Sequence, residues 1–214
     1  MSADARLSQK VKLLVALALA AAPARAGWLW FGPSAKSVWR DRTITVDGDE
    51  GDWDGIEQGE DAGLSWAFAN DALDLFILLS PHDRNYREQL SGVFDQDFTV
   101  WLDPSAGMQK NVGLRLKAPP DGSPDAARDY VLVRGSGERA LGACESAELR
   151  LGPVTMHGVL EARVPLACFG AKPGEKFTVG FEAEVPKQPP PKKPGQHFDR
   201  LYVFVRVKPA KPPQ

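Results

Sequence analysis

The sequence predicts an all-β fold: a two-sheet antiparallel β-sandwich, jelly-roll or immunoglobulin-like, with about ten strands. Short apolar runs, several of them alternating with period two, recur between turn residues. The 214 residues include 20 glycines and 18 prolines, a composition typical of turn-rich β proteins. No long amphipathic helix is evident after residue 26. A closed β-barrel is the main alternative architecture.

The strand candidates are separated by turn signals such as Pro119-Pro120-Asp121-Gly122. In chain order they are Thr43–Val46, Gly63–Ala69, Leu73–Leu79, Phe98–Leu102, Val112–Lys117, Asp129–Arg134, Glu148–Leu151, Val159–Pro165, Phe177–Val185 and Leu201–Val207. Phe177–Val185 alternates most clearly, with the apolar residues predicted to face the core. Glu182 and Glu184 then lie two apart on the other side, the spacing of a solvated face.

Residues 1–26 have the pattern of a secretory signal peptide. Basic residues precede the unbroken apolar run Leu13–Ala22, and the small residues around Ala26 suit cleavage after that position. The run is too short to cross a bilayer core of about 30 Å. We therefore expect a periplasmic or secreted protein with no transmembrane segment in the mature chain.

The rest of the chain divides by composition. Residues 27–39 form an aromatic N-terminal segment, residues 40–207 the predicted sandwich, and residues 208–214 a proline-rich tail. A second proline-rich stretch, residues 187–195, is expected to be an extended, solvated loop.

Cys144 and Cys168 are the only cysteines of the chain. In an oxidising compartment two lone cysteines often pair, and closing this loop would stabilise the fold by roughly 3 kcal/mol. Two small buried thiols are the alternative, and the sequence leaves both open.

Composition and motifs exclude several functions. The formal net charge is −2, without the basic excess of a nucleic-acid-binding protein. The sequence contains no Gly-x-Ser-x-Gly, His-Glu-x-x-His or Cys-x-x-Cys motif and no phosphate-binding glycine loop. We therefore expect a non-catalytic protein, with no cofactor assigned by motif.

The alternation of two neighbouring strands predicts a ligand-binding face. Trp101 and Thr99 fall on the side away from the apolar residues, and Arg115 lies beside them if the strands pair. Tyr130 and Arg134 are predicted to contribute from another strand. An outward tryptophan near polar groups suits stacking on a sugar ring. The alternative is that a loop covers Trp101.

Carboxylates alternate in an early loop, at Asp47, Asp49 and Asp52. Oxygen ligands in such a pattern suit Ca²⁺, although the EF-hand spacing is absent. The alternative is a turn rich in hydrogen bonds.

Five segments in one order resemble known β-sandwich modules across roughly residues 40–207. They are Ile44–Trp53 (ITVDGDEGDW), Asn70–Phe76 with His82-Asp83, Asp97–Pro104 (DFTVWLDP), Val159–Phe169, and Lys172–Glu175 before a final strand pair. This order is similar to that of family 9 carbohydrate-binding modules and DOMON-like domains. It looks most like a branch of exported single-domain proteins without assigned activity.

The resemblance implies a non-catalytic module that binds a glycan, such as a cell-wall or surface polysaccharide. Some modules of this kind also bind structural Ca²⁺. Some DOMON-like domains hold a b-type haem, for which Met108 with His157 or His82 are the candidate ligands in this sequence. A haem-binding electron-transfer domain is therefore one alternative. A structural or assembly module of the cell envelope is the other.

Overall fold

The protein is a β-sandwich, as predicted. The computed structural model describes residues 32–61, 63–91, 97–117, 130–135, 137–138, 144–152, 158–172, 174–184 and 201–213. Within them lie thirteen strands: β1 Ser34–Lys36, β2 Val38–Trp39, β3 Gly59–Asp61, β4 Leu64–Asn70, β5 Asp74–Pro81, β6 Phe98–Asp103, β7 Val112–Leu116, β8 Tyr130–Arg134, β9 Gly137–Glu138, β10 Glu148–Leu151, β11 Leu160–Pro165, β12 Phe177–Ala183 and β13 Leu201–Lys208. The predicted signal peptide and residues 187–195 lie outside the described residues.

The strands form two sheets. The seven-stranded sheet has the order β1-β13-β12-β6-β7-β8-β9, and the six-stranded sheet has the order β10-β11-β5-β4-β2, with β3 also paired to β4. Most strand pairs are antiparallel, as predicted. Two pairs are exceptions, because β1 pairs with β13, and β2 with β4, in parallel. Both exceptions arise from one segment, which leaves the first sheet and joins the second after a single residue. That residue, Ser37, is buried and hydrogen-bonds Asn70 and the Ala210 amide.

The core between the sheets is built from alternate residues of nearly every long strand. Phe177, Val179, Phe181 and Ala183 all face it, so the alternation predicted for β12 is confirmed. The described residues also include two short α-helices, α1 at Arg84–Ser91 and α2 at Leu166–Phe169. The structure also joins Cys144 to Cys168 in a buried disulfide with a Cα–Cα distance of 4.7 Å, which decides between the two alternatives left open.

The outer face of the six-stranded sheet is covered as well. Thr43–Val46 is not a strand; it belongs to an extended segment that crosses this face and continues into a 3-10 helix at Glu50–Trp53. Ile44 and Trp53 pack there on apolar residues of β4 and β5. Burial of a second apolar layer explains why every residue of β4 is buried, on both faces of its sheet.

Glu161 on β11 holds this covering segment in place. Its carboxylate accepts hydrogen bonds from the Trp53 indole N–H at 2.6 Å and from the backbone amides of Asp47 and Gly48 at 3.0 and 2.7 Å. Gly48 has φ +88°, and a Cβ there would lie 2.5 Å from the Gly152 backbone. The Asp47-Gly48 turn can therefore approach the sheet closely enough to reach Glu161 only because residue 48 is glycine.

Burial raises the pKa of Glu161 above its ordinary value of 4.5, although its three hydrogen bonds act in the opposite direction. A carboxyl group whose pKa is higher in the folded protein than in the unfolded chain stabilises the folded state less as the group ionises.

The difference in the free energy of unfolding between the native chain and Glu161→Gln should therefore depend on pH. We expect this difference, native minus variant, to fall as pH rises from about 4.5 through the folded-state pKa of Glu161. Urea denaturation of both proteins across this range measures it. A difference that is flat or rises with pH would contradict the assignment.

Candidate functional site

The outer face of the seven-stranded sheet is where the sequence predicts a sugar-stacking platform. Trp101 does lie on this side, opposite the core-facing residues of β6, but only 2% of it is exposed. Its indole packs over Gly113 of β7, where a Cβ would come within 2.8 Å of the ring. The prediction of an accessible platform is therefore wrong, because the ring lies flat in a buried layer.

The polar edge of the Trp101 indole is also occupied. Its Nε1 donates to Glu182 Oε2 at 2.7 Å, and Glu182 is itself 2% exposed. The Lys110 ammonium lies 2.6 Å from the same carboxylate oxygen, 5.5 Å from the Trp101 ring and 5.2 Å from the Tyr202 ring. We call these four residues the Trp101 network. Glu182 is thus a buried, paired carboxylate rather than part of a solvated face.

The other predicted platform residues do not form a joint surface with Trp101. Thr99 is 2% exposed, with half-buried Arg115 opposite it on β7. Tyr130 and Arg134 pair with Leu116 and Val112, whose side chains face the core. They therefore belong to the opposite side of the sheet. The prediction misplaced them because it assigned the wrong set of alternate residues in β8 to the outer face.

Each of these two residues has a structural setting of its own. Tyr130 packs against the core and donates its hydroxyl to the Ala147 carbonyl, and burial raises the pKa of this phenol. Arg134 is exposed at the end of β8.

The calcium prediction gains no support from the loop geometry. Asp47 accepts from the Asp49 amide at 2.9 Å, Asp49 from the Gly51 amide at 2.7 Å, and Asp52 from the Thr45 amide at 2.8 Å. Each carboxylate is turned to its own local donor, as in Asx turns and helix caps. Among the described residues no group of three or more metal-ligating side chains converges.

Two of the residues proposed for haem ligation, Met108 and His82, follow strands of different sheets. Met108 is 56% exposed in the turn between β6 and β7 of the seven-stranded sheet. His82 follows β5 of the six-stranded sheet, and its ring contacts the Ser65 hydroxyl. His157 lies outside the described residues. The haem prediction gains no geometric support from Met108 and His82.

An open cleft of about 310 Å³ lies beside edge strand β1. We call it the edge cleft. Its walls come from three parts of the chain, namely β1 with the end of β13, the segment that leads into β3, and the start of β12. The lining residues are Ser34, Ala35, Lys36, Glu57, Gln58, Gly59, Lys176, Arg206 and Lys208. The volume is at the lower end of the range for small-molecule sites, roughly 300–1,000 Å³.

The edge cleft is strongly cationic. Lys36 lies directly opposite Lys208 across the β1–β13 pair, and Lys176 immediately precedes β12, the next strand of the same sheet. Within the described part of the chain, none of these three lysines forms an ion pair, and all three are exposed. Arg206 donates to the Ala106 carbonyl at 3.1 Å. Glu57 is the one carboxylate among the described lining residues.

Behind one wall of the edge cleft lies Trp66. It pairs with Gly59, and a Cβ on Gly59 would come within 2.4 Å of its indole Nε1. Trp66 is 2% exposed, and its Nε1 has no hydrogen-bond partner among the described residues. The glycine therefore lets a wide ring fill the sandwich directly beneath the cleft wall.

Sequence reasoning missed the edge cleft entirely. Its walls join residues 34–36, 57–59 and 206–208, which no motif connects. β1 has three residues, too few for an alternation signal, and Lys208 was assigned to the proline-rich tail. The one available signal was the basic character of both segments.

Among the described residues no helix is long and apolar enough to cross a membrane. No protein-family model matches the chain, and no curated protein sequence matches it either. The chain is similar to solved structures of a family 9 carbohydrate-binding module from Caldicellulosiruptor kristjanssonii. For the complex with glucose the TM-score is 0.48 at 11% identity, over 83% of this chain and 97% of that chain. For the complex with cellotriose it is 0.46 at 11% identity, over 83% and 95%. The similarity concerns the fold alone.

Trp101 and Trp66 offer a matched pair for testing the Trp101 network. Both are 2% exposed, but only Trp101 donates to a buried carboxylate. Because Trp101→Phe leaves Glu182 without its indole donor, we expect it to lower the free energy of unfolding by about 1–3 kcal/mol more than Trp66→Phe does. Denaturant unfolding measures both changes. Equal losses would show that the indole hydrogen bond contributes nothing beyond ring packing.

Proposed function

We propose that this chain is an exported, non-catalytic carbohydrate-binding module and that the edge cleft is its binding site. The observation that carries the proposal is a cleft at the edge of the sandwich that is lined by hydroxyl, amide, carboxylate and cationic side chains. The predicted alternative, an aromatic platform around Trp101, is buried and already hydrogen-bonded.

The lining of the edge cleft suits hydroxyl-rich ligands. Ser34, Gln58 and Glu57 offer a hydroxyl, an amide and a carboxylate, which together donate to and accept from sugar hydroxyl groups. The lysine side chains add charged donors and apolar stems. No aromatic ring lines the cleft among the described residues, so binding there depends on hydrogen bonds and charge rather than on stacking.

A non-catalytic role is supported by the same lining. Most glycoside hydrolases use two carboxyl groups that flank the scissile bond. The described lining residues include only Glu57. Elsewhere, the Ser65 hydroxyl contacts the His82 ring, but Ser65 is 4% exposed and is therefore closed to a substrate carbonyl.

Export is supported by the residues of the chain itself. Residues 1–26 have the order of a signal peptide, namely basic residues, an apolar run and small residues at the cleavage position. The Cys144–Cys168 disulfide fits an oxidising compartment such as the periplasm or the extracellular medium.

We expect N-terminal sequencing of the protein recovered from the periplasm or medium of its own cells to begin at Gly27. The same material should have no thiol that reacts with a maleimide before reduction and two after it, since Cys144 and Cys168 are joined. Recovery from the cytosol with residues 1–26 retained would contradict export, whatever the protein binds.

Sugar binding is testable on a glycan and polysaccharide array with the mature protein. We expect wild type to bind at least one saccharide, and Glu57→Ala and Gln58→Ala each to weaken that binding about fivefold, because each removes a hydrogen-bonding group worth about 1 kcal/mol. Gln109→Ala is the matched control, since Gln109 is exposed but does not line the edge cleft.

Two outcomes would contradict the proposal in different ways. If Trp101→Phe remains folded but loses binding while Gln58→Ala binds normally, the site lies on the outer face of the seven-stranded sheet. If wild type binds nothing on the array, the chain is not a carbohydrate-binding module.

A further inference from the structure

We infer that the edge cleft selects acidic saccharides, whose sugar rings carry carboxylate or sulfate groups, over neutral ones. The inference rests on the proposed function and narrows its ligand class. It follows from the arrangement of charge in the cleft, which the overall composition of the chain does not show.

The first step of the argument is the local charge. Four cations and one carboxylate line the edge cleft, whereas the whole chain has a formal net charge of −2. At physiological ionic strength charges separated by more than about 8 Å are largely screened. A ligand in the cleft therefore responds to the lining cations and only weakly to the acidic remainder of the protein.

The second step is the direct opposition of Lys36 and Lys208. These two residues are Cα partners in the parallel β1–β13 pair, and both are exposed, so the strand pairing places two positive charges side by side at this edge. No carboxylate in the described part of the chain forms an ion pair with either ammonium group or with Lys176. An anionic group bound between them would be attracted by both ammonium groups, so the pair favours an acidic ligand over a neutral one.

The third step distinguishes an acidic sugar from a simple polyanion. Glu57 faces the same cleft and repels a ligand that presents negative charge on every side. A sugar ring that turns its acidic group to the lysines and its hydroxyl groups to Glu57 and Gln58 satisfies both walls. Inorganic phosphate or sulfate can satisfy only the cationic wall.

The test compares ligands that differ only in charge. Calorimetry measures the affinity of the mature protein for oligogalacturonate and for its methyl ester, and for dextran sulfate and dextran. The proteins compared are wild type, Lys36→Gln, Lys208→Gln and the control Arg134→Gln. The control removes an exposed cation from β8, which lies five strands from β1 in the same sheet, about 24 Å away.

We expect wild type to bind the acidic member of at least one pair tenfold or more tightly than the neutral member. Lys36→Gln and Lys208→Gln should each reduce that preference about tenfold, while Arg134→Gln keeps it. The two lysine variants should also keep the melting temperature of wild type, because both side chains are exposed and neither forms an ion pair within the described part of the chain. Unchanged melting separates lost binding from lost folding.

Three results would overturn the inference. Equal affinity for both members of each pair leaves the module a sugar binder but removes its acidic selectivity. Equal loss of preference in Arg134→Gln and the lysine variants shows that overall charge, not the cleft, attracts the ligand. Inorganic sulfate that binds as tightly as dextran sulfate per anionic group shows a simple anion site. A fourth result, failure to bind any saccharide on the array, would contradict both the inference and the proposed function on which it rests.

Discussion

The fold of the outer layer depends on one buried carboxylate. Glu161 is fully buried on β11, where an unpaired carboxylate would cost several kcal/mol. Among the described residues its donors come from a distant segment, namely the Trp53 indole and the Asp47-Gly48 amides. These bonds fix the segment across the six-stranded sheet. The same segment leads directly into Glu57, Gln58 and β3, so the interaction that covers the sheet also positions one wall of the edge cleft.

The two sheets use the same device on their outer faces. On one, Trp53 donates to Glu161 at 2.6 Å, and on the other Trp101 donates to Glu182 at 2.7 Å. In each case a wide ring supplies apolar cover while its N–H satisfies a carboxylate that water cannot reach. The Glu182 carboxylate also pairs with a cation, the Lys110 ammonium, at 2.6 Å. Once these layers are in place, neither Trp53 nor Trp101 has an accessible ring face, since each is 2% exposed.

Local patterns predicted the sandwich well and the site poorly, for separable physical reasons. Period-two alternation assigns a residue to a side of its sheet, which is why Trp101 was placed on the correct side. It does not show whether that side meets water or a second layer. The residues that cover the polar edges of these tryptophans, Glu182 and Glu161, are 81 and 108 residues away in the sequence. A short sequence pattern cannot predict contacts over such a separation. For β8, alternation shows which residues share a side of the strand but not which side faces the core. The pairing of Tyr130 with Leu116, a core residue, shows that the side with Tyr130 faces the core.

The location of the edge cleft has a consequence for how it can bind. Edge strands leave backbone groups and side chains accessible that central strands bury, and natural sheets often protect such edges with lysine. Lys36 on β1 and Lys208 on its neighbour β13 fit that protective pattern, since a charged edge resists pairing with a second chain. The same two lysines line the proposed binding site. In that proposal, charge that protects the free sheet edge also attracts the acidic group of the ligand, so protection of the edge and recognition of the ligand depend on the same side chains.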